Sequence, residues 1–205
     1  MRRMKTDLKK KGYFKLTEPL TVSTFYRLGK SFGEIFLKCD VKYNPNATEY
    51  LFGKDKMAYH MDHFDAHYIA WFGMVKNDLF EPTLLIDSRN IIKKLTQKDL
   101  RVLSRIKCQR GEFEVEMYNL KTKRFYYCPW LVTLSALSQK EQTESEKVLK
   151  KLDKLIEKEH KNNRIEVHLN KGEALFIDSR FILHGRGEIA FNSKRHLKRI
   201  WVHAK

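Results

Sequence analysis

Three stretches of the sequence carry residue types able to do chemistry. The first is His60-Met61-Asp62. A His and an acid two apart on a strand project to the same face, where both can bind one metal ion. Eight His and twenty-five acids make one such pair a chance event on its own, and a second, His63-Phe64-Asp65 followed by His67, overlaps it. The second stretch runs from Phe181 to Arg186, where His184 follows apolar residues and precedes Gly185. This pattern places His184 at a strand end, with Gly185 allowing a close backbone approach. The third stretch is Arg195 to Val202, in which Arg195, Leu197, Arg199 and Trp201 share one strand face by period two. On an interior face the two guanidiniums would need an anion, because an unpaired buried charge is costly. The sequence leaves open which face is inside.

Two His and one carboxylate from separated strands make the facial triad of non-haem Fe(II) oxygenases, with open positions for co-substrate and O2. From Met57 to Val202 the sequence resembles the Fe(II)/2-oxoglutarate-dependent dioxygenases of the taurine dioxygenase and clavaminate synthase-like superfamily. The family's first metal motif, His-x-Asp, falls on His60 and Asp62. Its apolar strand, Asp, basic residue, apolar pair, His, Gly, Arg phrase falls on Phe176 to Arg186, making His184 the distal ligand. The family's 2-oxoglutarate-contacting Thr corresponds to Thr83, and its Arg eleven residues beyond the distal His to Arg195. Arg199, four further on, matches a position that contacts co-substrate or an acidic substrate group in some members. Where many members have Gly-Gly before the Thr, this chain has Glu81-Pro82, and the stretch from Asp62 to Thr83 is short. His63 with Asp65 remains an alternative register; Tyr59 before the His and the spacing to Thr83 favour His60 with Asp62.

The resemblance implies a double-stranded β-helix (jelly-roll, cupin-like) core with flanking helices. It implies Fe(II) as cofactor, with 2-oxoglutarate and O2 as co-substrates released as succinate and CO2. The reaction implied is hydroxylation or desaturation of an unactivated C–H in a small molecule, an amino acid or related acid. An Asp at the carboxylate position disfavours halogenation. Arg186 and Arg199 are candidates for a substrate carboxylate, and Tyr59, Phe64, Tyr68, Trp71 and Trp201 for pocket walls. The alternatives are an oxygenase acting on nucleic acid or another macromolecule, and a β-barrel binding protein without iron chemistry.

The elements that must position these residues read as α+β. A helix is expected from Thr21 to about Leu37, with Phe25, Leu28, Phe32, Ile35 and Phe36 at helical spacing and Ser23 as cap. Another is expected from about Gln97 to Ile106, with Thr96 as N-cap and Asp99 three residues on. The strongest helical stretch is Lys140 to His160, with Leu149, Leu152, Leu155 and Ile156 as its apolar stripe. Short β-type runs are Tyr68–Val75, Thr83–Asp87, Phe113–Leu120, Phe125–Cys128, Arg164–Leu169, Ala174–Asp178 and His196–His203. Helices first and then seven or more strands favour a closed or sandwiched antiparallel core, in one domain over 1–205. Its expected plan is a helical N-terminal part to about 45, then a β core with a helical insert at about 140–160. A parallel βαβ fold fits poorly, because strands and helices do not alternate and no glycine-rich phosphate loop follows a strand.

The chain's 205 residues, 42% hydrophobic and 12% aromatic, can bury a proper core and exclude a disordered protein. No apolar run approaches a membrane span of ~18 residues, and no apolar stretch follows the basic start as in a signal peptide. Cys39, Cys108 and Cys128 are sparse and odd in number, which suggests free thiols and a cytoplasmic protein. The net charge of +16 attracts polyanions, yet the Lys doublets are scattered and no basic-aromatic array marks a nucleic-acid module. Surface solubilisation is the simpler reading of that charge. A homo-oligomer is compatible with the sequence.

Overall fold

Alternating burial along the strands decides which side chains face the interior. The computed structural model describes residues 2–47, 51–76 and 81–204. In chain order the elements begin with α1 (Arg2–Lys11), β1 (Tyr13–Leu16), α2 (Val22–Lys30), β2 (Gly33–Lys42), β3 (Met57–His60) and β4 (Tyr68–Gly73). Next come β5 (Thr83–Asp87), α3 (Ser88–Ile92), α4 (Gln97–Leu103), β6 (Lys107–Arg110), β7 (Phe113–Glu116) and β8 (Val132–Thr133). The chain finishes with α5 (Gln139–Asn163), β9 (Ile165–Val167), β10 (Ala174–Asp178), β11 (Ile182–Arg186) and β12 (His196–Ala204).

The strands form a five-stranded sheet ordered β1-β10-β4-β12-β2, a four-stranded sheet β3-β11-β5-β9, and a three-stranded sheet β7-β6-β8. All the pairings are antiparallel. Ile69 and Trp71 of β4, Leu175 and Ile177 of β10, and Leu197 and Trp201 of β12 pack with Leu85, Val167 and Ile182 from the four-stranded sheet. This shared layer is the interior of a jelly-roll. The intervening residues Ala70, Phe72, Ala174, Phe176, Ile200 and Val202 face the other way, under Met4 and Leu8 of α1 and Phe25 of α2. Period two therefore buries both faces of the larger sheet. The outer face of the smaller sheet, with Ile86 and Leu183, is covered by α3, α4, α5 and the three-stranded sheet. Each fully buried Leu, Ile or Phe contributes ~1.5–3 kcal/mol.

The helix expected to reach Leu37 ends at Lys30, and Thr21 caps it by accepting from Thr24 N at 3.2 Å, not Ser23. Beyond Gly33 the chain extends as β2, whose Leu37, Cys39 and Val41 alternate inward along nine register pairs with β12. That long-range pairing overrides the local helical spacing. The first 45 residues are accordingly not only helical: β1 and β2 form both edges of the five-stranded sheet, so the β core starts at Tyr13. Phe125–Cys128 is not a strand and keeps only an isolated bridge from Phe125 to Tyr118. The capping residues Thr96 and Asp99 form a full capping box on α4, and Ser138 with Glu141 does the same for α5. No helix among the described residues is long and apolar enough to cross a membrane.

Candidate active site

His60 and His184 are direct partners across the β3–β11 pair. The register then slips, with Arg186 opposite Met57, and such a bulge re-aims side chains. Gly185 lies at the slip, where a Cβ would stand 2.8 Å from the Met57 carbonyl oxygen, so only glycine lets β3 come this close. His184 sits in mid-strand, not at a strand end. Asp62 is not on a strand with His60; β3 ends at His60 and the chain bends. Met61 N donates to the Tyr127 carbonyl at 2.8 Å, and Tyr126 Oη donates to the Asp62 carbonyl at 3.2 Å. These two bonds fix the bend that aims Asp62.

The result is a buried convergence. One ligand atom from each of His60, Asp62 and His184 lies within 4.8 Å of the others. His60 Nε2 is 3.3 Å and His184 Nε2 3.6 Å from Asp62 Oδ1. His60 Nδ1 lies 2.8 Å from the Ala58 carbonyl, which can only accept, so Nδ1 carries the proton and Nε2 keeps its lone pair. The other carboxylate oxygen, Oδ2, accepts from Arg199 Nη1 at 3.0 Å and Trp201 Nε1 at 2.8 Å. Burial, aided by neighbouring His60, pushes His184 down to about 4, leaving a neutral imidazole at pH 7. Burial opposes ionisation of Asp62, but Arg199 and the two imidazoles outweigh it and hold the carboxyl well below its ordinary range. Two imidazole nitrogens and one carboxylate oxygen, with His60 and Asp62 each oriented by a second partner, suit a first-row divalent metal such as Fe(II).

The alternative register does not converge with His184. His63 Nδ1 stands 3.9 Å from Asp65 Oδ2, with Asp65 half exposed, and the His63 ring stacks on Phe64.

Beside His184 a small cavity of about 30 Å³ is lined by Thr83, Arg186, Arg195 and Arg199. Thr83 is opposite Arg186 in the β5–β11 register. Burial, then the adjacent Arg186, pushes Arg195 down to about 10, while Glu81 acts in the opposite sense. Among the described residues no carboxylate comes within ion-pair distance of Arg195. Glu81, which stands where the family often has glycine, accepts from Ala190 N at 3.1 Å and from Ser193 Oγ at 2.7 Å. Ser193 Oγ in turn accepts from Arg195 N at 3.0 Å, so Glu81 anchors the loop that presents Arg195. On the other side of Arg199 a larger cavity of about 460 Å³ opens over His60 and Asp62.

Of the candidate wall residues, Trp201 lines the larger cavity and Trp71 stands edge-on to His184, 5.0 Å between ring centroids. Arg186 lines the small cavity and donates to the Gly53 carbonyl at 3.2 Å. Three residues face elsewhere. Tyr59 alternates away from His60 and its hydroxyl meets His160 Nδ1 of α5 at 2.9 Å. Phe64 packs toward Phe113 on the three-stranded sheet, and Tyr68 lies on the outer face of β4 against Phe32. The walls that the sequence did not suggest are Leu51 and Met57, before and on β3, and Arg110, Cys128, Trp130 and Leu131, from the segment around the three-stranded sheet. Trp130 packs 4.7 Å from the His60 ring. Its signal in the sequence is only the aromatic run before Pro129.

A family model described as "Taurine catabolism dioxygenase TauD, TfdA family" matches residues 119–201, the stretch holding His184, Arg195, Arg199 and Trp201. No curated protein matches the chain. Among solved structures, asparagine oxygenase in complex with Fe(II), 2S,3S-3-hydroxyasparagine and succinate aligns with a TM-score of 0.77 at 13% identity. That alignment covers 98% of this chain and 78% of the other. The non-heme iron oxygenase OrfP in complex with Fe, succinate and (3S)-hydroxy-L-Arg aligns with a TM-score of 0.74 at 16% identity, covering 100% of this chain and 80% of that one. At these identities the likeness is one of fold, and it establishes the jelly-roll architecture expected from the motifs.

Proposed function

We propose that this protein is a non-haem Fe(II)/2-oxoglutarate-dependent oxygenase that hydroxylates or desaturates an unactivated C–H of a small molecule, an amino acid or related acid, releasing succinate and CO2. The observation that carries this reading is the buried His60, Asp62 and His184 cluster at the junction of an arginine-lined small cavity and a larger, mostly apolar one. The matched family stretch and the oxygenase neighbours support it.

His60 Nε2, His184 Nε2 and Asp62 Oδ1 would hold the iron, which would supply the redox chemistry that activates O2 with 2-oxoglutarate. Arg195 binds the distal carboxylate of 2-oxoglutarate with its planar fork, and the Thr83 hydroxyl donates to the same group. Arg199 and Trp201 hold Asp62 Oδ2, which keeps Oδ1 turned toward the imidazoles. Trp71 and the apolar walls exclude water from the ligand cluster, and Trp130 packs against His60 on the side of the larger cavity.

Anaerobic titration of the protein with Fe(II) and then 2-oxoglutarate tests the reading. A weak visible charge-transfer band is expected, and Asp62→Ala should abolish it. No band in the wild-type protein at saturating ligand would refute the proposal.

A further inference from the structure

The β6–β7 hairpin turns at Gly111, whose φ of +60° lies in the left-handed region. The residue before it, Arg110, leans back over the larger cavity and lines it. Its guanidinium carbon is 5.9 Å from the Trp201 ring centroid, and that of Arg199 is 5.1 Å from the same ring. The two cations differ in what they do. Arg199 is committed to Asp62, whereas Arg110 has no carboxylate within ion-pair distance among the described residues. The charged lining residues are therefore Arg110 and Arg199 against Asp62 alone, and Asp62 is already shared by two imidazoles, Arg199 and Trp201. Between Arg110 and the ligand cluster the walls are Leu51, Met57, Cys128, Trp130 and Leu131.

We infer that Arg110 is a specificity-determining residue that binds a carboxylate or similar oxyanion of the substrate, so that the substrate is an acid with an apolar or aromatic body. The inference rests on the oxygenase reading and adds the substrate's polarity and orientation. The oxyanion lies under the hairpin, the apolar body runs along Trp130 and Leu131, and the C–H to be oxidised reaches His60, Asp62 and His184. Stacking on Trp201 pre-orients the Arg110 fork, whose planar donors match a carboxylate bidentately.

The test uses the full chain with Fe(II) and 2-oxoglutarate under anaerobic conditions. The probes are 3-phenylpropionate, its neutral amide 3-phenylpropanamide, and 3-phenylpropylamine, with binding read by calorimetry and by quenching of tryptophan fluorescence. The wild-type protein should bind the acid ~10-fold or more tightly than the amide, the scale of a charge-assisted hydrogen bond. Arg110→Ala should erase that preference without changing amide affinity, and Arg110→Lys should restore part of it. Arg110→Glu should turn the preference toward the amine. The inference is overturned if the wild-type protein does not bind the acid, or if its preference survives Arg110→Ala. Absence of the Fe(II)–2-oxoglutarate band in the wild-type protein would instead remove the oxygenase reading beneath it.

Discussion

Replacing Arg195 with Met should make the ligand-free protein more stable and at the same time less responsive to 2-oxoglutarate. The Arg195 side chain has its guanidinium at the buried end, and burial beside Arg186 pushes it down from the ordinary arginine range to about 10. At pH 7 the group is charged in both folded and unfolded chains, so the full difference counts against folding. At ~1.4 kcal/mol per pH unit that drop is ~3 kcal/mol. Met retains the length and apolar volume of the stem, so most of that cost should be recovered as stability. For a domain of this size ~1 kcal/mol moves Tm by ~2–4 °C, so the expected rise is ~5–10 °C. With 2-oxoglutarate the gap narrows. A ligand at a hundred times Kd stabilises by ~2.7 kcal/mol, and losing one charge-assisted hydrogen bond weakens binding by about tenfold to a few hundredfold. The variant should therefore show half or less of the wild-type ligand-induced shift. The assay is thermal unfolding with Fe(II), anaerobically, with and without 2-oxoglutarate. If Arg195→Met melts below the wild type without ligand, or keeps the whole ligand shift, then Arg195 neither bears a buried charge penalty nor meets the co-substrate.

Gly185→Ala should force the Met57 carbonyl away from a Cβ that would lie 2.8 Å from it. Urea unfolding should show a loss of ~1–3 kcal/mol, and Fe(II) affinity should fall because β3 carries His60. For metal-stripped protein, His184 titrates at about 4 when folded against 6.5 when unfolded, so its contribution to stability is present above pH 6.5 and lost as pH falls through about 4. The loss over that window is ~3 kcal/mol at ~1.4 kcal/mol per pH unit. Urea midpoints across the window should slope accordingly, and His184→Gln should flatten that part of the slope.

Strands β5 and β10 were legible to the residue, because Thr83–Asp87 and Ala174–Asp178 are short apolar runs bounded by Pro82, Gly172 and polar residues. The N-terminal strand β2 was not. Its Ile35 and Phe36 happen to continue the helical spacing of Phe25, Leu28 and Phe32, and only the pairing with β12 reveals the strand. The ligand positions stood out as residue types at a spacing, but the cause of the geometry did not. Asp62 is aimed by bonds to Tyr126 and Tyr127, some 65 residues away along the chain, and His60 by a bulge against β11. The substrate walls were least legible. Tyr59 and Phe64 flank the ligands in sequence yet face away from the cavity, whereas Arg110 arrives from β6 and Trp130 from the turn before β8. Sequence proximity is a poor guide where strand alternation sends neighbours to opposite faces.

The charge distribution of the interior separates two meanings of a basic chain. A surface lysine contributes to the net +16 at little cost, because solvent screens it. Arg186, Arg195 and Arg199 do not have that freedom: they line one small cavity beside His184. The carboxylates nearest them are already engaged, Asp62 by Arg199, Trp201 and the imidazoles, and Glu81 by Ala190 N and Ser193 Oγ. A fold selected for stability alone would replace Arg195 with an apolar residue of similar volume. Retaining its charge there makes sense when an anion enters the cavity during function, and a dicarboxylate that meets the ligand cluster at one end and Arg195 at the other neutralises it. The strain and the binding energy are then the same interaction seen with and without ligand, which is why one substitution at Arg195 should raise the ligand-free stability and shrink the ligand-induced shift together.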